Sequence, residues 1–439
     1  MVMERRNCIR WLKLKFNSKE EEILTETKPF TISKHLVMQA FKSIKANAGA
    51  AGVDRQSIAD FEKDLKDNLY KLWNRMSSGS YYPPPVKAVP ISKKTGGSRV
   101  LGVPTVTDRI AQMVVKLTFE PMVEPYFLKD SYGYRPNKSA LDAVGVTRQR
   151  CWQYDWIVEY DIKGLFDNLD HELLLKAIKK HTNNKWVILY IERWLKTPMK
   201  LPDGKLLEKT KGTMQGGVIS PVLSNLFLHY VFDIWMRANH PNKPWCRYAD
   251  DGLVHCKTQR QAEYILLKLK QRFEECKLEL HPDKTKIVYC KDGSRKGKYP
   301  NIKFNFLGYC FKIRLVKNSQ TNTMFLSFTP SVSKEALKSM RAKIRKEGVR
   351  NKTDLSIQEI ARRYNPVLRG WIEYYGKYTK SGLYPVFRHF NKTLIAWAMR
   401  KYKRFKNRKV WATKFVMNIA QTEPHMFAHW KIKMVGAFT

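Results

Sequence analysis

Three aspartates have the spacing of a metal-dependent phosphoryl-transfer centre. Asp161 closes the run Asp155-Trp-Ile-Val-Glu-Tyr-Asp161, which reads as a strand. Asp250 and Asp251 lie between two further strand-like runs, Trp245 to Ala249 and Gly252 to Cys256. Carboxylate oxygens are hard donors that suit Mg²⁺, which takes one or two of them and fills its shell with substrate phosphates and water. Two such ions about 3.5–4 Å apart can clamp the attacking and leaving oxygens of an in-line displacement. An Asp-Asp pair by itself is equally an ordinary solvated turn. Three carboxylates brought to one edge of a sheet are a different matter.

The pattern around them supplies such a sheet. Asp170 opens a helix carrying Leu173, Leu174, Ala177 and Ile178, and a second helix spans about 259–276 before a strand at 286–290. Without its insertions (helices near 185–196 and 219–237, a hairpin around Asp203-Gly204) this is β-α-β-β-α-β, the split topology. There the strand of Asp161 neighbours the Asp-Asp hairpin. That plan alone hosts many functions. Upstream, Ser33 precedes a helix with Val37, Ala40, Phe41 and Ile44 on one face, and Ser57 opens another that runs through Trp73 to Gly79. Val86 to Val103 reads as a hairpin turned at Lys94-Thr-Gly-Gly97, followed by a helix from Asp108 to about Phe119.

Composition narrows the partner. The 439 residues (51.6 kDa) hold 81 Lys+Arg against 39 Asp+Glu, a net charge of +42, with 43% hydrophobic and 12% aromatic residues. That length suggests two or three domains. The apolar share builds a core and excludes wholesale disorder, while the charge excess calls for a polyanion. The excess is steepest in residues 331–439, with 25 Lys+Arg against 6 Asp+Glu. Trp371, Tyr374, Tyr375, Tyr378, Trp397, Tyr402 and Trp411 are interleaved there, and can either stack on bases or pack a core. The segment as a whole, and no single residue in it, is assigned to RNA. Seven cysteines at 8, 151, 246, 256, 276, 290 and 310 show no Cys-x-x-Cys spacing, so neither a disulfide framework nor a cysteine zinc site is expected. His425 and His429 are four apart, but no Glu or Cys joins them, and no metal is expected there. Arg5, Arg6 and Arg10 mix with Glu4 and Glu20–Glu22 without an apolar core, and Val218 to Met236 is broken by Asn225, His229 and Asp233. No signal peptide and no membrane span are expected, and the location expected is the cytoplasm.

Tyr248-Ala-Asp-Asp251 resembles the catalytic box of reverse transcriptases, and the blocks around it resemble the reverse transcriptase/maturase proteins of bacterial group II introns. Asp161-Ile-Lys-Gly-Leu-Phe166-Asp-Asn-Leu-Asp-His171 is similar to their first catalytic block. Gln215-Gly-Gly-Val-Ile-Ser-Pro221 is similar to their template- and nucleotide-positioning block. Leu101 to Arg109 and Ser131 to Pro136 match finger blocks, Phe306-Leu-Gly-Tyr309 the primer grip, and Gly370-Trp-Ile-Glu-Tyr-Tyr375 the maturase or thumb region.

The resemblance implies an α+β right-hand polymerase with fingers and a ferredoxin-like palm, followed by an α-helical thumb/maturase domain. The boundaries expected are an arm at 1–30, fingers at 31–150, palm at 151–329, thumb/maturase at 330–400 and a basic tail at 401–439, with no endonuclease domain. It implies two Mg²⁺ ions on Asp161 and Asp250, with Asp251 completing the acidic site. Phe166 aligns with the aromatic gate against a ribose 2′-hydroxyl; otherwise it is a core ring. Lys93 and Arg99 flank the finger hairpin turn and match triphosphate-holding cations, or are solvated hairpin charges. Gln215 and Gly216 match substrate-positioning residues, and Lys284 the lysine that protonates leaving pyrophosphate. Met214 departs from the proline usual before Gln-Gly-Gly, and a quantitative effect on rate or fidelity is expected. Partners implied are group II intron RNA, a DNA primer or target and dNTPs; nothing in the sequence speaks to oligomeric state. The activity implied is RNA-directed DNA polymerisation with roles in intron splicing and mobility. A maturase with an idle polymerase site, or a free-standing reverse transcriptase recruited to host defence, stays open as an alternative.

Overall fold

A computed structural model describes residues 28–92, 98–318 and 320–435. The arm expected at 1–30 falls almost wholly outside them. Two compact units emerge, and each is discontinuous in sequence. The first takes the chain up to Arg135, Ile162–His240 and Gln271–Glu279; the second takes Pro136–Asp161, Pro241–Lys270 and the chain from Leu280 onward.

In the first unit, strands β1 (Val86–Ser92) and β2 (Ser98–Val103) form the expected antiparallel hairpin. Two short strands extend it to the order β2-β1-β4-β5, with β4 (Met199–Lys200) parallel to β1 and β5 (Leu206–Leu207) closing the edge. Val86, Ala88, Met199 and Met214 pack together as its small core. Met214 therefore fills apolar space beneath the sheet. The helix from Ser33 forms as Lys34–Asn47 with Ser33 as its cap. The single helix expected from Ser57 is two, Ile58–Lys63 and Leu65–Ser77, because Asp64 leaves helical geometry (φ −115°, ψ 44°). The helix expected from Asp108 starts earlier, at Val106, since Thr105 caps it by accepting from the Asp108 amide.

In the second unit, β3 (Trp156–Asp161), β6 (Trp245–Tyr248), β7 (Asp251–Cys256) and β8 (Lys286–Tyr289) form an antiparallel sheet in the order β6-β7-β3-β8. This is the strand order of the split topology. A second sheet follows, with β10 (Tyr309–Lys317) between β9 (Lys303–Phe306) and β11 (Met324–Val332). Its period-2 alternation separates two faces. Phe304 and Phe311 are cross-strand partners and stack at 4.6 Å on the buried face, while Lys303, Lys312 and Arg314 occupy the other.

The helices that follow share one apolar core. Lys334–Lys346, Ile357–Tyr375 and Tyr384–Lys401 contribute Ile344, Leu368, Phe387, Phe390 and Trp397 to it. Residues expected as a basic tail from 401 onward join the same core through Phe405, Val416, Phe427 and Trp430, so the stretch described to 435 is not an appendage. Its charges lie on the outer faces while its apolar positions follow the helical period inward. His429 is fully buried, with Nε2 donating to Asn391 Oδ1 (2.6 Å) and the ring stacked on Phe387. Most of the interleaved aromatics are packed likewise: Trp397 is buried and Tyr374 and Tyr375 lie against Tyr309, whereas Trp411 is 63% exposed. Among the described residues no helix is long and apolar enough to cross a membrane, and all six cysteines are free thiols.

Candidate active site

The hairpin that carries the acidic pair turns one residue earlier than the sequence suggests. Tyr248 and Asp251 are paired across β6 and β7, so the turn is Ala249-Asp250 and Asp251 is the first residue of its strand. Ala249 adopts left-handed backbone (φ 55°), a conformation that costs a non-glycine residue about 1 kcal/mol or more. The wholly buried Arg247 steadies the turn by donating to the Ala249 carbonyl (3.2 Å). As a result Asp251 is the direct cross-strand partner of Asp161. Gly252 is the partner of Tyr160, and a Cβ there would lie 2.1 Å from the Tyr160 ring, so only glycine fits beside Asp251.

The three carboxylates feel one another. Burial raises the Asp250 carboxyl above the usual range and the charge of Asp161 adds to it. Burial, then the charges of Asp250 and Asp161, push Asp251 up to about 7. A cluster in this state is short of positive charge. Lys284 supplies one, its ammonium 2.8 Å from Asp161 Oδ2. Partial burial pulls the Lys284 pKa down, but the hydrogen bond and charge of Asp161, with Asp251 and Asp250 behind it, leave it raised. The backbone fixes this approach, because His281 N donates to Asp161 O (2.8 Å) and Lys284 N to His281 O. Beside them Glu159 pairs with Lys286 at 3.2 Å. Among the described residues no three His, Cys, Asp or Glu side chains already form a ligand cage. Hard carboxylates in electrostatic conflict nevertheless fit a divalent cation whose remaining ligands are substrate oxygens and water.

A cavity of about 330 Å³ opens on this cluster, walled by Asp161, Asp251, Lys284, Lys286 and Asn305. A second cavity of about 390 Å³ shares Lys286 and Asn305 with the first.

The remaining candidates belong to the first unit. Phe166 is half-buried, not core, in the short helix Leu165–Asn168, and its carbonyl accepts from Thr213 N (2.7 Å). Gln215 lies close by: its Nε2 donates to Asp167 Oδ2 (3.2 Å), and its carbonyl accepts from Gly102 N in β2 (2.7 Å). Gly216 has φ +106°, and a Cβ would lie 2.5 Å from the Gly102 carbonyl. Phe166, Gln215 and Gly216 are thus brought together. Arg99 is exposed on β2, and Lys93 lies outside the described residues.

Sequence reasoning missed the group that holds this turn. Gln112 is buried in the helix Val106–Val123, and its Oε1 accepts from Val218 N (2.7 Å) and Ile219 N (3.4 Å). Its Nε2 donates to Asp108 Oδ2 (2.9 Å), while Asp108 Oδ1 accepts from Tyr81 Oη and Trp194 Nε1, both at 2.8 Å. The i, i+4 spacing of Asp108 and Gln112 was the available signal. Burial raises Asp108 against the opposing pull of these donors, with Trp194 first.

Comparison with known proteins agrees with this architecture. The profile of reverse transcriptase (RNA-dependent DNA polymerase) matches residues 91–311, and that of the group II intron maturase-specific domain matches residues 337–415. Protein YkfC of Escherichia coli (strain K12) is 32% identical over 288 residues, covering 56% of this chain and 74% of that protein. The group II intron-encoded protein LtrA of Lactococcus lactis subsp. cremoris is 27% identical over 448 residues, covering 82% and 72%. A putative COX1/OXI3 intron 1 protein of Saccharomyces cerevisiae is 24% identical over 317 residues, covering 70% and 37%. The chain belongs to the reverse transcriptase family, divalent-metal-dependent RNA-directed DNA polymerases, and carries a group II intron maturase domain behind its polymerase.

Proposed function

We propose that the chain extends a DNA primer on an RNA template from dNTPs with Mg²⁺, binds its parent group II intron RNA, promotes its splicing and copies it during intron mobility. The observation that carries the polymerase reading is the meeting of Asp161, Asp250, Asp251 and Lys284 at one end of β3 and β7. The maturase-specific match and the intron-encoded relatives support the splicing and mobility roles.

Asp161 and Asp250 would hold the metal ions, with Asp251 completing the site, and bound ions would supply Lewis-acid activation of the attacking hydroxyl and charge stabilisation at the leaving oxygens. Lys284 stays protonated beside the carboxylates and is placed to give its proton to pyrophosphate as it leaves. Phe166 offers a flat ring against the sugar, where a ribose 2′-hydroxyl lacks room. Gln215, tied to Gly102 and Asp167, orients the incoming nucleotide, and Arg99 with Lys93 holds the triphosphate.

The test is dNTP incorporation on an RNA template annealed to a DNA primer, beside the Asp250→Ala/Asp251→Ala protein. Extension by the wild type alone supports the polymerase reading. If neither extends while intron RNA is bound tightly, the polymerase reading fails and a splicing role remains.

A further inference from the structure

One wall of the carboxylate cavity takes its support from a helix outside the catalytic sheet. Asn305 and Phe306, the last residues of β9, line that cavity beside Asp161 and Asp251. Phe306 and Tyr309 are paired across β9 and β10, so the chain reverses through Leu307 (φ 50°) and Gly308 (φ 78°) alone. Two left-handed residues in succession match the twist of a hairpin, and asparagine followed by glycine adopts them readily. Leucine does not, so this turn has to be held from outside. The hold comes from the C-terminal end of the helix Ile357–Tyr375, within the region matched by the maturase-specific profile. Tyr374 Oη donates to the Leu307 carbonyl (2.9 Å) from 67 positions away, and the Tyr374 carbonyl accepts from Tyr309 Oη. Ser333 N adds a bond to the Gly308 carbonyl (2.9 Å), and the Tyr375 hydroxyl would lie 2.9 Å from a Cβ at Gly308. Burial, then the nearby hydroxyls of Tyr375 and Tyr248, push the Tyr374 hydroxyl up to about 12, so it remains a donor at neutral pH. Tyr248 is itself the cross-strand partner of Asp251. All of these residues belong to the second unit.

We propose that Tyr374 is a positioning residue for the polymerase centre: its hydroxyl fixes the Leu307–Gly308 turn and thereby sets Phe306 against the carboxylates. A side chain of the maturase domain thus governs the rate of the chemistry, and it does so through the turn. A displacement of about 1 Å beside reacting groups is enough to cost a large part of a rate. The effect on rate rests on the polymerase reading, whereas the hold on the turn does not.

The test uses the full chain with Tyr374→Phe, which removes the hydroxyl and keeps the ring. Its control is Tyr375→Phe, the adjacent residue of the same helix, whose hydroxyl has no hydrogen-bond partner among the described residues. In single-turnover dNTP incorporation, Tyr374→Phe should lower the maximal rate about tenfold and keep the half-saturating dNTP concentration within about threefold. That split is expected because Gln215, which orients the nucleotide, belongs to the first unit. Hydrogen exchange in a peptide spanning residues 303–310, measured without substrate, should quicken by at least about threefold in Tyr374→Phe and stay unchanged in the control. An unchanged maximal rate, an equal fall in Tyr375→Phe, or a rise in half-saturation at constant rate overturns the proposal. So does unaltered exchange in the turn. A lower melting temperature with rate and exchange preserved makes Tyr374 merely structural and overturns it too. If the wild type itself fails to extend a primer, the polymerase reading fails on its own, and exchange at 303–310 still decides whether Tyr374 holds the turn.

Discussion

Replacing Gln112 by leucine removes a single amide from the interior and leaves two groups without their partners. The Val218 amide loses an acceptor at 2.7 Å, and the Asp108 carboxylate loses a donor at 2.9 Å, both in a buried setting. An orphaned neutral amide costs about 1–3 kcal/mol and a lost bond to a charged group about 1.5–3 kcal/mol. The expected loss of stability is therefore about 2–5 kcal/mol, since the two effects share one side chain and do not add fully. Function separates this from ordinary core damage. The turn held by Gln112 carries Gln215, so the variant should raise the dNTP KM about tenfold while kcat changes less than threefold, a difference of about 1.4 kcal/mol in nucleotide binding. Hydrogen exchange in a peptide spanning residues 214–223 should quicken. The double variant Asp108→Asn/Gln112→Glu exchanges donor and acceptor across the same contact, still offers an acceptor to Val218 N, and should restore both slow exchange and KM. If Gln112→Leu melts lower yet keeps its dNTP KM, or if the exchanged pair restores neither readout, the reasoning from geometry to nucleotide positioning is wrong.

Gly252→Ala should cost about 1–3 kcal/mol and cut extension at least tenfold, because the Tyr160 ring must retreat by more than about 1 Å beside the Asp161–Asp251 pair. Adding Tyr160→Leu should recover part of both, and a fully active Gly252→Ala protein would contradict the packing described. Lys284→Ala should slow single-turnover incorporation about 10²-fold with little change in nucleotide affinity, as expected for a proton donor; an unchanged rate removes it from the chemistry. Phe166→Ala should raise the use of rNTPs relative to dNTPs, measured as a ratio of kcat/KM values, and an unaltered ratio rejects the gate. Burial lowers the pKa of His255 and His429 to about 3, from 6.5 when unfolded, with Arg150 adding to the effect at His255. Between those values the unfolded chain binds protons that the folded chain does not, so stability is full above pH 6.5 and falls as pH falls, by about 2 kcal/mol per histidine at pH 5. Urea midpoints at pH 7.5 and 5.0 check this, and His429→Phe should flatten the slope.

Sequence alone determined the local features of this protein. Ser33 and Ser57 marked helix starts because a capping hydroxyl acts within three residues, and the strands around Asp161 and Asp250 showed through short apolar runs. The order β6-β7-β3-β8 followed from that pattern, since a split β-α-β-β-α-β chain has few ways to pair its strands. Everything that depends on register or on distant partners was decided by tertiary structure. A single left-handed residue, Ala249, moved the turn by one position and set Asp251 opposite Asp161. The requirement for Gly252 comes from a tyrosine 92 positions earlier, and the meeting of Gln112 with Val218 spans 106 positions. Residues 401–435 looked like a tail because their charges dominate the composition, whereas their fate was set by Phe405, Val416, Phe427 and Trp430 finding a core formed by other helices. Charge and capping act between near neighbours and are written in order along the chain. Packing and cross-strand pairing join residues that only the folded chain brings together.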